Sequence, residues 1–155
     1  IARVGKMGAG KSRVLKLLLG QDIPHTGHVA VAQGRVSSCI PQDSCNLQGD
    51  RREYIESQGL DESLFKAILR KMDFSREQFS KGMEQLCAGQ KKKVLLAQSL
   101  CQEAHLYLWD EPLNYIDILS RIQIEELILN CRPTMVFVEH DAAFQSKVAT
   151  KIIPL

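Results

Sequence analysis

Two unbroken apolar runs, "AHLYLW" (Ala104–Trp109) and "TMVFV" (Thr134–Val138), limit this chain most. A strand with one wet face alternates apolar with polar residues. These runs do not, so both predict strands covered on both faces. Each run ends on acids: Asp110-Glu111 before Pro112, and Glu139-His140-Asp141 after Val138. Covering a sheet on both faces takes helices, and the neighbouring segments supply them. Lys11–Leu19 carries Val14, Leu15, Leu18 and Leu19 at helical spacing and stops at Gly20. Gly89 opens a helix through "QKKKVLLAQSL", and Ile118–Asn130 and Asp141–Val148 are helical too. The alternation predicts an α/β fold, a mostly parallel sheet with helices on both faces. On such sheets ligands sit beyond the carboxyl ends of the strands, where these acids fall.

The remaining elements fit around that frame. Ile1–Val4 reads as a strand, Gly5–Gly10 as a loop and "KIIPL" as a last strand. "HVAVA" (His28–Ala32) and "RVSSCI" (Arg35–Ile40) flank Gln33-Gly34 and predict a hairpin. Over about 50–100 the pattern turns helical, a small helical insert whose first part runs from Asp50 to about Lys81. Asp61 is placed to N-cap one helix, with Leu64, Phe65, Ile68 and Leu69 as its apolar face. Ser75 and Gln78 fit a capping box. A chain that opens in a strand beside a glycine-rich loop is expected to be one N-terminally truncated domain, 1–155, from a longer protein.

The 155 residues are 45% hydrophobic and 25% charged with net charge +2, a balance that suits one globular core and demands no polyanionic partner. Cys39, Cys45, Cys87, Cys101 and Cys131 form no C-x-x-C pair, which fits a reducing, cytoplasmic setting without disulfides or structural zinc. No apolar run approaches the roughly 20 residues that span a bilayer, so no membrane insertion is expected. Lys91–Lys93 reads as a solvated helix face, or as a contact for rRNA phosphates or a partner.

"GKMGAGKS" (Gly5–Ser12) fits G-x-x-x-x-G-K-[ST]. Glycines let backbone N–H groups curl inward, and the next helix adds its positive end. Lys11 would then reach the β- and γ-phosphates, and Ser12 would ligate Mg²⁺. The plainer alternative is a glycine-rich turn that joins strand to helix. Given a phosphate loop, Asp110 at a second strand end would hold Mg²⁺ through water, and Glu111 would orient or deprotonate the attacking water. The alternative is a solvated acidic strand cap. His140 would register the γ-phosphate, or is a loop residue. Gln42 would ligate Mg²⁺, or is simply exposed.

"LCAGQ" (Leu86–Gln90) resembles the L-S-G-G-Q signature of ATP-binding cassette (ABC) domains, which have a RecA-like P-loop NTPase fold. The order phosphate loop, Gln42, helical insert, signature, Asp110-Glu111, Asp117, His140 is the cassette order over essentially the whole chain. "WDEPLNYID" has Asn114 and Asp117 where the ABC-F class carries E-P-x-N-x-x-D. "GQKKKVLLAQSL" and "GLDESLFKAILRKMDFSREQF" resemble the second cassette of Lsa/Vga-like antibiotic-resistance ABC-F proteins.

The resemblance implies an Mg-dependent ATPase that pairs with a second cassette and acts on the ribosome. Gly5, Gly8, Ala9, Gly10, Lys11, Ser12 and Arg13 would bind phosphate. Ser12, Gln42 and Asp110 would hold Mg²⁺. Glu111 would be the base and His140 the γ-phosphate switch. Leu86, Cys87, Ala88, Gly89 and Gln90 would serve the partner's ATP, with Asp117 at the seam. A nucleotide-binding subunit of a membrane transporter, or a cassette without catalysis, are the alternatives. Three departures stand out. Cys87 replaces the signature serine and is a poorer donor. Ala88 replaces a glycine and is expected to obstruct a tight turn or the approach to phosphate. Arg13 replaces a small hydroxyl residue, to contact or crowd the α-phosphate. The family's adenine-stacking aromatic lies on strands earlier than Ile1, so it is expected outside this chain.

Overall fold

The computed structural model describes residues 1–4, 10–32, 34–43 and 47–154. Its elements run β1 (Ala2–Val4), α1 (Lys11–Leu18), β2 (Ser37–Ile40), α2 (Arg51–Ser57), α3 (Glu62–Lys71), α4 (Arg76–Ser80), α5 (Ala88–Cys101), β3 (Leu106–Asp110), α6 (Ile118–Cys131), β4 (Met135–Val138), α7 (Ala142–Val148) and β5 (Ile152–Pro154). The strands form one sheet in the order β2-β3-β4-β1-β5, and every pairing is parallel. The register sets Ile40 beside Trp109 and Asp110 beside Val138, so the carboxyl ends of β2, β3 and β4 finish together.

The two apolar runs do cover both faces. Leu106, Leu108 and Val138 pack with Leu15 and Leu18 of α1 and with Leu19, its C-cap residue. Trp109, Met135 and Phe137 point the other way, into a larger core with Val94 and Leu96 of α5, Ile124 and Ile128 of α6 and Phe144 of α7. Alternation along each strand thus feeds two apolar layers, and each fully buried large side chain stabilises by about 1.5–3 kcal/mol. The Trp109 indole N–H donates to Ser99 Oγ at 2.8 Å, and Ser99 meets Ser38 Oγ at 2.7 Å. That buried chain ties β3, α5 and β2 together and leaves the indole satisfied.

The predicted hairpin does not form. His28–Ala32 carries no strand, Val29 and Val31 are exposed, and Gln33 lies outside the described residues. The second half does form a strand, from Ser37, but it pairs parallel with β3. Local alternation around Gln33-Gly34 satisfied a hairpin pattern. Burial of Ser38 and Ile40 beside β3 outweighed it.

The helical segment 50–82 follows its local signals closely. Asp50 caps α2, Asp61 accepts the Leu64 N–H at 2.6 Å, and Ser75 and Gln78 make the reciprocal capping box. One face was misjudged: Leu64 is exposed, and the buried stripe is Phe65, Ile68, Leu69 and Met72. Those four sit at i, i+3, i+4 and i+7, whereas Leu64 lies one residue to the side.

Candidate functional site

Parallel strands deliver their loops to one edge of the sheet. Gln42 follows β2 by two residues, Asp110 closes β3, Glu111 follows it, and His140 follows β4 by two. Two of these, Gln42 and His140, meet at Glu111, and Asn114 joins them. Gln42 Nε2 donates to Glu111 Oε2 at 3.0 Å, although 69 residues separate them. Asn114 Nδ2 donates to the same oxygen at 2.6 Å, and His140 Nε2 lies 3.4 Å from Oε1. The Glu111 N–H donates to Val138 O at 2.9 Å, extending the β3–β4 ladder one step past the strand. Glu111 sits at φ 47° and Tyr115 at φ 65°, both left-handed. Such a conformation costs an L-residue roughly 1–2 kcal/mol, so the surrounding bonds hold this turn in place.

Asp110 behaves differently. It is 7% exposed, and its Oδ1 has no hydrogen-bond partner among the described residues. A buried carboxylate oxygen left so needs a water or a cation. Oxygen donors from Ser12, Gln42 and Asp110 are the hard set that Mg²⁺ prefers, and Mg²⁺ normally completes its shell with water and phosphate oxygens. Among the described residues no group of three His, Cys, Asp or Glu could enclose an ion. A metal here would depend on those shared ligands, which the residues present fit.

Of the phosphate loop, Gly5, Gly8 and Ala9 lie outside the described residues. Gly10 is the N-cap of α1 at φ 80°, a conformation glycine adopts without strain. Lys11 is the first residue of that helix and is buried, and Ser12 is half-buried beside it. Arg13 is exposed and directs its guanidinium to the Pro24 carbonyl at 3.4 Å.

The signature segment opens α5. Leu86 is buried, and Cys87 is the exposed N-cap residue whose N–H donates to Gln90 Oε1 at 3.0 Å. The expected obstruction at Ala88 does not arise in the turn: Ala88 is the exposed first helical residue, without positive φ. Glycine is needed one place later. A β-carbon on Gly89 would lie 2.4 Å from Tyr115 O, so the start of α5 and the turn after Glu111 approach backbone to backbone.

Lys93 reinforces that contact. Its Nζ donates to Asp117 Oδ2 at 2.6 Å and to Met72 O at 2.7 Å. Burial alone would push the Asp117 carboxyl up. The bonds from Lys93 and from Ser120 outweigh it and bring the pKa down to about 2.

The solvated reading of Lys91–Lys93 is overturned, because Lys92 and Lys93 are buried. Lys92 is fully enclosed, and its Nζ donates to Pro41 O at 2.8 Å, Gln42 O at 3.3 Å and Asp110 O at 3.4 Å. It ties the end of β2 to the end of β3. Burial lowers its pKa, opposed by Asp110, Glu111, Glu139 and Asp43. The signal was present: Lys92 and Lys93 stand four residues before Leu96 and Ala97, on the buried side. Glu139, marked in the sequence only as an acid at a strand end, has a structural role there. It is buried, and accepts N–H bonds from Leu113 at 3.2 Å and His140 at 2.8 Å, joining the loops after β3 and β4.

A family model described as "ABC transporter" matches residues 1–114. ABC transporter F family member 2 of Arabidopsis thaliana is 27% identical over 99% of the chain, and the ribosome protection protein VmlR of Bacillus subtilis is 27% identical over 95%. The aliphatic sulfonates import ATP-binding protein SsuB of Delftia acidovorans is 31% identical over the whole chain. The chain spans 24%, 27% and 67% of these relatives, respectively. A solved structure titled RNase-L Inhibitor superposes with a TM-score of 0.80 over 99% of the chain and 31% of its own, at 23% identity. The parallel sheet with helices on both faces is therefore the P-loop NTPase fold. Within that class, the chain belongs to the ATP-binding cassette family, and its relatives include ABC-F members. It is an ABC ATP-binding domain. Among the described residues no helix is long and apolar enough to cross a membrane.

Proposed function

We propose that this chain is the ATPase cassette of a cytoplasmic ABC-F type protein that acts on the ribosome, in the manner of Lsa/Vga-like target protection. One observation carries the ATPase part: Gln42, Asn114 and His140 converge on Glu111, next in the chain to Asp110, whose Oδ1 has no partner among the described residues. Bound Mg-ATP supplies the transferable phosphoryl group and the charge of the metal. Lys11 and the Gly5–Gly10 loop would hold phosphate, while Ser12, Gln42 and Asp110 would hold the metal. Two amides fix Glu111 Oε2, which orients the carboxylate to take a proton from water. His140, half-exposed beside Oε1, would meet the terminal phosphate.

The partner is a second cassette. Tyr115, Ile118 and Leu119 are 75%, 76% and 66% exposed beside Asp117, an apolar edge suited to being covered. The segment from Leu86 to Gln90, at the other side of the Gly89–Tyr115 contact, serves the partner's nucleotide. The Asn114 and Asp117 pattern and the likeness to VmlR support the ribosome, as the alternative target to a transporter's membrane domains. Similarity to SsuB supports that transporter reading.

The test compares the chain with Glu111→Gln in titrations of a fluorescent ATP analogue, then in co-sedimentation with ribosomes. Both proteins should bind nucleotide, and the variant should sediment with ribosomes in ATP. Nucleotide binding without ribosome sedimentation would favour the transporter reading. Absence of binding would remove the ATPase reading itself.

A further inference from the structure

A groove of about 1030 Å³ lies within the helical segment, lined by α2, α3, α4 and the residues just after them. Its cations are Arg51, Arg52, Lys66, Arg70, Arg76 and Lys81, and its lining acids are Asp50 and Glu62. Residues 50–82 hold seven basic and seven acidic side chains, so the segment as a whole is neutral. The lining itself is positive, six cations to two acids, although Glu56 and Glu77 stand beside Arg52 and Lys81 at its edge.

We infer that this groove binds the phosphate backbone of RNA. Arg51 forms its floor. It is buried, donates to the carbonyls of Phe79, Gln78 and Lys81, and makes no ion pair with a carboxylate among the described residues. Its positive charge is therefore held in place by three carbonyls, with the Asp50 carboxylate near enough to act on it but not paired with it. Its guanidinium lies 5.5 and 5.4 Å from the Phe74 and Phe79 ring centres, and that of Arg70 lies 6.0 Å from the Phe79 centre. Arg52, Lys66 and Lys81 have helix-surface partners in Glu56, Glu62 and Glu77, exposed pairs that solvent screens and a phosphate can displace. Cations spread over three helices suit a ligand with repeated charges, and arginine favours phosphate geometry.

An amphipathic peptide fits less well. Ile55 and Phe74 in the lining are themselves buried, which leaves a docking helix only the half-buried ring of Phe79 as apolar surface. The choice of RNA among polyanions rests on the ribosome reading, whereas the charged groove does not.

The variant to make is Arg52→Glu with Arg76→Glu. Both residues lie in the first turn of their helices, where a carboxylate suits the helix dipole, so folding is expected to hold. Anisotropy of a short labelled single-stranded RNA, followed through a KCl series, should show roughly tenfold weaker binding by the variant. Two lost phosphate contacts should reduce the salt slope by about 1.4. The control, Arg35→Glu with Lys151→Glu, makes the same change in net charge outside the groove and should stay within about twofold. Arg70→Gln, a neutral change, should weaken binding by about threefold with unaltered circular dichroism. Equal weakening by the control would overturn the inference, as would absence of RNA binding by the unaltered chain. Displacement of the RNA by polyglutamate at matched charge would assign the groove to acidic protein instead. Ribosome sedimentation is read separately. If the unaltered chain binds RNA through the groove but ignores ribosomes, the ribosome reading fails and the groove stands. If the double variant sediments as the unaltered chain does and its RNA binding is unchanged, the groove fails alone.

Discussion

The strand ends and the helical segment solve the same problem, how to place charged side chains, in opposite ways. In segment 50–82 most polar contacts are local: Asp50 with Arg52, Asp61 with Leu64, Ser75 with Gln78, Glu62 with Lys66. At the strand ends the contacts cross the chain: Gln42 reaches Glu111, Lys92 reaches Pro41, Leu113 reaches Glu139. Local caps act one helix at a time. A cluster gathered from three strand ends depends on the whole sheet, so its members should act as a unit.

The largest expected effect is on turnover. Glu111→Gln should reduce ATP hydrolysis by at least about 100-fold, the usual scale for removing a general base, with nucleotide binding retained. Steady-state phosphate release beside analogue titration checks this, and unchanged turnover would remove Glu111 from the chemistry. Adding His140→Ala to Glu111→Gln should cost little further, because both act at one place.

Lys92→Met comes next. It strips a buried ammonium from three carbonyls and should destabilise by about 3 kcal/mol, read from urea unfolding. A loss under about 1 kcal/mol would mean that the strand ends are not joined through this side chain. Gly89→Ala should destabilise by about 2 kcal/mol, because its β-carbon meets Tyr115 O and the turn must shift. Asp61→Ala in the helical segment should cost only about 1 kcal/mol and add to a Ser75→Ala change within error. Coupling between those two caps would break the contrast drawn above.

The smallest effect is on pH. Asp117, held by Lys93 and Ser120 against its burial, and Asp141, held chiefly by Arg121 and the Phe144 N–H, both fall to about 2. Unfolded aspartate titrates near roughly 3.9. A folded pKa below the unfolded one stabilises fully above about pH 4, and that contribution is lost as pH falls towards about 2. Solvent screens both groups, so the shift in melting temperature between pH 5 and pH 2 should be modest. Asp117→Asn should flatten it; an unchanged slope would show that Lys93 does not hold this carboxylate.

Much of this was legible beforehand because it is written in periods and neighbours. The two apolar runs named β3 and β4 and required helices on both faces. The caps of α3 and α4 lie within four residues of what they bind. Asp110 and Glu111 stood out because a strand end in a parallel sheet is an address. Leu64 failed by a single residue, since a helical stripe is set by the neighbour it packs on.

The chain by itself determined which segments are strands in a doubly covered sheet, where the helices start, and which acids reach the strand ends, because these follow from backbone hydrogen bonding and apolar spacing. Only the tertiary structure decided that 37–40 joins β3 in parallel rather than folding back on 28–32, since buried area outweighs a local turn pattern. It also turned Lys92 and Lys93 inward, since carbonyls from three distant segments, with Asp117, take the place of water around them. It sorted the charges of a neutral helical segment so that one groove is positive. In each case the deciding partner lies far along the chain, and only folding brings it within hydrogen-bond reach.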